Sequence, residues 1–229
     1  MPFTLSSASK LSSRQQLANA GKSFIVTNPT PGTAIVHATL TSYSATANGL
    51  FLVQNNNTSS SGVNIYLDQL LLCQTATAPG STLVKHFEVI NETGLVTGTG
   101  NVATRTPVNL NPSVANTTTN AVVQSFAAGA ITIPAAVGTR RQTHVFTMTT
   151  GVTVKHDTFI IDFGADSHPV QKNGGAAVRA TDVATLVQSV PPVCIAPQTT
   201  SWINMWWVTQ DTNVPEYEFA LTYHEILET

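Results

Sequence analysis

The densest set of residues that could do chemistry lies in VKHDTFIIDFGADSHPV (154–170), which holds His156, Asp157, Asp162, Asp166 and His168. Imidazole and carboxylate groups at this density are the donor types of a zinc or first-row metal site. His156 and Asp162 are an even number of residues apart and so share one face if the segment is a strand. Asp166 and His168 fall in the loop that follows. The spacing matches no established metal motif, and neither cysteine is nearby. We read the segment as a strand with polar ends and an Asx-rich turn, and a metal-dependent enzyme as the alternative it leaves open. The DFG tripeptide within it has no Gly-rich phosphate loop or HRD-like segment beside it, so it is no kinase signal.

Two smaller pairs could be drawn as acid–base couples. His86 and Glu88 share a strand face, and His224 shares one with Glu218. Both are read as solvent-face pairs of antiparallel strands. No GxSxG is present, no cysteine has a catalytic context, and NGGAAV (173–178) is a Gly pair without a phosphate-loop pattern. We therefore assign no catalytic, cofactor-binding or metal residue and no cofactor. The remaining candidate is aromatic. SWINMWW (201–207) contains all three tryptophans of the chain. Alternation places Trp202 and Trp206 on one face and Trp207 on the other, so a sugar-stacking platform competes with a core or interface role.

The elements that must carry these residues are strands. SFIVT (23–27) runs into the turn cluster NPTPG (28–32). Strand patterns follow at 33–45, 48–55, 63–76, 82–91 and 103–112, the last marked as an edge by Pro107. They resume at 143–154, 157–164, 184–196 (broken by a Pro-Pro pair), 201–210 and 216–226. EYEFALTYHEI (216–226) alternates most clearly, with Tyr217, Phe219, Leu221 and Tyr223 opposite Glu216, Glu218, Thr222 and His224. Residues 113–142 depart from the rhythm and read as a long connection or interface loop with one short strand, AITIP. Residues 1–23 read as a polar N-terminal arm, in which SSRQQLANAGK has the makings of a short helix ending at Gly21. The expectation is an all-β chain: an arm (1–23) and one antiparallel two-sheet β-sandwich domain (24–229), jelly-roll-like.

Composition bears on function more than any motif. Only 10% of the 229 residues are charged, against about 25% in ordinary soluble domains. A surface that avoids charge suits a chain packed against copies or partners. The charges present are unevenly placed: no acid precedes Asp68, while Lys10, Arg14 and Lys22 do, and after Arg179 only acids occur. Nothing is basic enough for sequence-independent nucleic-acid binding. No apolar run reaches the roughly 18–20 residues of a membrane span, and the N-terminus lacks a signal-peptide core. Cytoplasmic synthesis is the expectation, with Cys73 and Cys194 as buried free thiols and the sequons at Asn56, Asn57, Asn91 and Asn116 unglycosylated.

The charge-poor arm SSASKLSSRQQLANAGK, the TNPTPGTAI turn, the strands ANGLFLVQNNN and VNIYLDQLLL, and the pair WINMWW…EYEFALTYHEI together resemble the Thr/Ala/Asn-rich virion proteins of tailed bacteriophages, most closely capsid decoration (cement) proteins. The resemblance is one of style over most of the chain and brings no catalytic residues. It implies a β-sandwich made in an infected cell, located on the capsid surface, with the major capsid protein as partner and a homotrimer as assembly. Direct nucleic-acid or membrane contact is not implied. A tail receptor- or carbohydrate-binding module and a jelly-roll capsid protein are the competing expectations.

Overall fold

Alternation along the last strand shows how the chain is layered. In β14 (Glu216–Leu227) every second residue from Tyr217 to Glu225 is buried, the mark of a strand with one face on a core. The structure is a computed structural model that describes residues 13–36, 49–76, 83–116, 120–133, 141–150, 158–164, 185–190, 192–207 and 216–228. Helix α1 (Ser13–Asn19) precedes β1 (Ser23–Thr27), β2 (Ile35–Val36), β3 (Gly49–Asn55), β4 (Val63–Ala76) and β5 (Leu83–Glu92). Then come β6 (Thr99–Arg105), β7 (Val108–Asn109), β8 (Ala121–Thr132), β9 (Arg141–Thr150), β10 (Thr158–Phe163), β11 (Thr185–Val190), β12 (Val193–Ile195) and β13 (Thr200–Trp207).

These strands form two sheets. The first runs β11–β10–β4–β14–β1–β7, with β12 also on β4 and β2 also on β14; the second runs β6–β8–β3–β13–β5–β9. Four antiparallel pairs are nested along the chain: β1 with β14, β3 with β13, β4 with β10 and β5 with β9. Rolling up a nested hairpin in this way gives the eight-strand order of a jelly roll, β1–β14–β4–β10 facing β3–β13–β5–β9. The expected two-sheet sandwich is therefore the fold. Among the described residues one pairing departs from the antiparallel rule, since β10 and β11 run parallel.

The main core lies between the sheets. Phe24, Leu70, Leu72, Phe219 and Leu221 from the first sheet meet Phe51, Val53, Phe87, Val89, Ile203 and Met205 from the second. Phe51 packs edge-on to Phe219 at 4.7 Å, and Phe24 stacks on Tyr223 at 5.3 Å. Two bulges tune this packing. Opposite β14, Asp68 is the extra residue of β4, because Thr222 faces Gln69 and Tyr223 faces Leu67. Leu67 and Leu70 can then both point inward while the Asp68 carboxylate turns to the outer face. Opposite β13, Leu50 is the extra residue of β3, and both Leu50 and Phe51 join the main core.

Two expectations are corrected. Residues 113–142 hold a twelve-residue strand, β8, between β6 and β3, where a long connection was expected. Val123 and Phe126 of this strand are fully buried. Alternation is masked because Gln124 and Ser125 are buried polar residues, and because the register against β6 jumps between Phe126 and Ile131. The arm expected over 1–23 also changes at its second half. Residues 13–22 lie on their own domain: Asn109 Nδ2 donates to Gly21 O and Asn111 Nδ2 to Asn19 O, both at 2.8 Å, and Glu225 N donates to Lys22 O at 2.9 Å. The helix does end at Gly21, which takes φ +68° and closes a Schellman turn, with Lys22 N donating to Leu17 O and Gly21 N to Ala18 O, both at 2.9 Å. Residues 1–12 lie outside the described residues.

Pro107 does mark an edge. Among the described residues β6 is one edge of the second sheet and β7 one edge of the first, and the chain passes between them at Thr106–Pro107. Of the strand expected over 33–45 only residues 33–36 are described, with β2 at Ile35–Val36, and the Pro-Pro pair separates β11 from β12 as expected.

Candidate functional site

A cluster of charged and polar side chains lies on the outer face of the first sheet, around the Asp68 bulge. Arg14 reaches down from α1 and its Nη2 donates to Asp162 Oδ1 of β10 at 2.7 Å. Its Nε lies 3.4 Å from Asp68 Oδ1, and Nη2 is also 3.4 Å from the carbonyls of Asp68 and Phe163. From the other side, His224 Nδ1 of β14 contacts the same Asp68 Oδ1 at 2.9 Å. The His224 ring stacks on Tyr66 at 5.3 Å, the Tyr66 hydroxyl donates to Glu228, and Cys194 stands opposite Tyr66 in register on β12. Cys194, Tyr66 and His224 thus form a row across three adjacent strands.

The electrostatics follow from these contacts. Partial burial pulls the Arg14 guanidinium down, but the hydrogen bond and charge of Asp162 and the charge of Asp68 outweigh it and hold it above its ordinary value. The hydrogen bond to Glu228 is the main reason that the Tyr66 phenol is pushed well up, with burial and Cys194 adding to it. The Glu228 carboxyl is lowered by Tyr66 and then by Asn64. Burial and the Glu228 charge raise the Cys194 thiol against a hydrogen bond to Tyr66 that lowers it.

This arrangement is poorly suited to nucleophilic catalysis. A useful thiol is lowered, not raised, and Cys194 is two strand spacings, about 10 Å, from the His224 column. The carboxylates are already committed to a guanidinium and an imidazole. What the cluster does is grip a cation: Asp68 and Asp162 form a receptor for the Arg14 fork.

The sequence candidates distribute as follows. Asp162 is in this cluster, bonded to Arg14, while His156, Asp157, Asp166 and His168 lie outside the described residues. Among the described residues no three His, Cys, Asp or Glu side chains are close enough to hold a metal. His224 does share a face with Glu218, but the two lie six positions apart along the strand, about 20 Å, and its partner is Asp68. Glu88 is corrected: it was expected on a solvent face and is buried, accepting from Asn204 Nδ2 at 3.1 Å. The side chain of His86 lies outside the described residues. The cysteines are corrected as well. Neither is disulfide-bonded, but Cys73 is half-buried and Cys194 exposed, because in β12 Val193 and Ile195 take the inward positions.

Trp202 and Trp206 are both buried, so neither offers a stacking platform; the Trp207 side chain lies outside the described residues. Trp202 faces outward from the second sheet but sits in a second apolar cluster with Leu52, Ile90, Val96, Phe126 and Ile133. The segment between β5 and β6 straps this face. Val96 N donates to Thr200 Oγ1 at 2.9 Å, Gly98 N donates to Gln124 Oε1 at 3.0 Å, and Gln54 Nε2 donates to Val96 O. Gly98 lies so close to Phe126 that a Cβ there would be 2.4 Å from its ring.

Uncharged side chains also tie one end of the sandwich. Asn55 Nδ2 donates to Val63 O and Ile195 O, Asn57 Nδ2 donates to Asn55 Oδ1, and Asn120 Nδ2 donates to Asn57 Oδ1, all at 2.7–2.8 Å. Gln198, at φ +61°, donates from Nε2 to Asn57 O at 2.7 Å. The Asn-rich composition is thus put to use as internal cross-links.

Sequence reasoning missed Arg14 and Asp68. The available signal was the segregation of charge, with cations in the arm and acids from Asp68 onward. A scan against protein-family models, a search of the curated proteins and a search of the solved structures each find no match to this chain.

Proposed function

We propose that this chain is a non-enzymatic structural protein of a virus particle, a decoration subunit on a bacteriophage capsid. The observation that carries the reading is the combination of a jelly-roll sandwich with a 10% charge content. Charged groups keep soluble chains apart, and here the charged cluster of the described residues is spent on internal bonding around Arg14. Neutral β surface and loops can be buried against neighbours at about 25 cal/mol per Å² of apolar area, without the desolvation cost that charges would add. Repeated over a lattice, small contacts sum to firm attachment.

The strand order supports a second reading, in which the chain is itself the jelly-roll coat subunit and closes a shell without another capsid protein. Immunogold labelling of particles from lysates in which the chain is made tests both. Label over the capsid surface is expected. Label confined to the tail tip would move the protein to receptor binding, and label on no particle would overturn the structural reading. Purified chain assembling alone into closed shells would select the coat subunit.

A further inference from the structure

From the geometry around Arg14, we infer that the Asp68–Asp162 receptor also accepts α1 of a second copy of this chain, so that neighbouring subunits exchange arms. The inference rests on the assembly reading for its setting, though not for its test.

Three observations carry it. First, α1 is attached without being built in: none of its seven residues is buried. The Arg14 side chain keeps 44% of its surface exposed, while the receptor acids Asp68 and Asp162 keep only 10% and 20%. A formed receptor holding an exposed ligand can accept that ligand from another source. Second, the joint is local. The chain turns at Gly21, where a left-handed glycine and the Schellman bonds hold the helix against β1. Extending residues 20–22 would redirect α1 while leaving β1 paired with β14 and β7. Third, charge is segregated so that the arm cannot bind another arm, nor the receptor another receptor. Every residue before Asp68 is basic or neutral, and both receptor acids come at or after it. The complementarity is heterologous, which links copies head to tail into rings or lattices.

The competition is one of effective concentration. A short tether supplies α1 to its own receptor at about millimolar. In dilute solution the own-chain arm wins. In a packed shell a neighbour's arm is present at a comparable concentration, and exchange costs the opening of the Gly21 turn and of the hydrogen bonds that Asn109, Asn111 and Glu225 donate to residues 19–22, which the arriving arm can form again.

Two full-length variants remove the competition. Arg14→Glu keeps the receptor but repels its own α1. Asp68→Asn with Asp162→Asn keeps α1 but loses the receptor. Neither can dock α1 on itself or on a copy of itself. Mixed, the second variant's α1 fits the first variant's receptor. Native mass spectrometry should show a 1:1 heterodimer absent from either variant alone, weakening roughly tenfold as salt approaches about 1 M, where the screening length falls to about 3 Å. Separate chains in the mixture, with both variants folded by circular dichroism, would overturn the inference and leave the structural role untouched. Should the double variant not fold, a fluorescent peptide of residues 1–22 is titrated into the Arg14→Glu chain. Binding above that of a scrambled peptide is expected, and equal signals would overturn the exchange.

Discussion

Replacing Trp202 with alanine separates a core tryptophan from a surface platform by magnitude alone. Trp202 is 0% exposed and pairs across strands with Leu52 on one side and Ile90 on the other. A buried aromatic side chain removes about 150–250 Å² from water, which at about 25 cal/mol per Å² is roughly 4–6 kcal/mol. Large-to-small changes in cores cost about 3–5 kcal/mol. For a chain of this size each kcal/mol moves the midpoint by about 2–4 °C, so Trp202→Ala should melt roughly 6–20 °C below the parent by far-UV circular dichroism. A surface tryptophan would cost within about 0.5 kcal/mol. The strap adds a local signature: Val96 N is bonded to Thr200 Oγ1 above the same cluster, so its amide should lose more hydrogen-exchange protection than that of Val53 in the main core. A loss under about 1 kcal/mol, with native circular dichroism, would refute the placement of Trp202 in a second core.

Three further outcomes follow from the same geometry. Arg14→Ala should speed tryptic cleavage after Lys22 several-fold while costing only about 0.2–1 kcal/mol, as partly exposed ion pairs do; unchanged cleavage would mean that Arg14 does not hold α1 down. Gly21→Ala places a methyl 2.7 Å from Val114 at a left-handed φ, and should destabilise by about 1–3 kcal/mol in urea unfolding; a neutral result would mean the turn is not the one described. Glu228→Gln removes the main cause raising Tyr66 and one cause raising Cys194. A group whose folded pKa is raised contributes stability below its unfolded value, and that stability is lost as pH rises through the folded one. The parent should therefore hold one tyrosine un-ionised beyond about pH 10, and the variant should ionise it earlier in ultraviolet titration and alkylate Cys194 faster. Identical titration and alkylation curves would refute the coupling.

How far the fold could be read depended on whether each strand had one face in water. β14 was legible because its outward residues are polar and its inward ones aromatic or aliphatic. β3 is buried along its whole length, since the inter-sheet core lies on one side and the 93–98 strap on the other, so alternation could not reveal which residues face which layer. β8 was hidden for a related reason: Gln124 and Ser125 are buried because they bond to Gly98 N and the Arg105 guanidinium, and composition alone gives such residues to a loop. Glu88 reads as a solvent-face acid until Asn204 is known to lie beside it.

The sequence by itself determined the all-β class, most strand positions, the helix stop at Gly21 and the two faces of the tryptophan segment, because these follow from local periodicity and glycine chemistry. Tertiary structure alone decided that both described tryptophans are buried, that a bulge turns Asp68 outward, and that Arg14 meets acids 54 and 148 residues away. Those contacts arise from the nested pairing of β4, β10 and β14, and no local pattern encodes which distant strands will become neighbours.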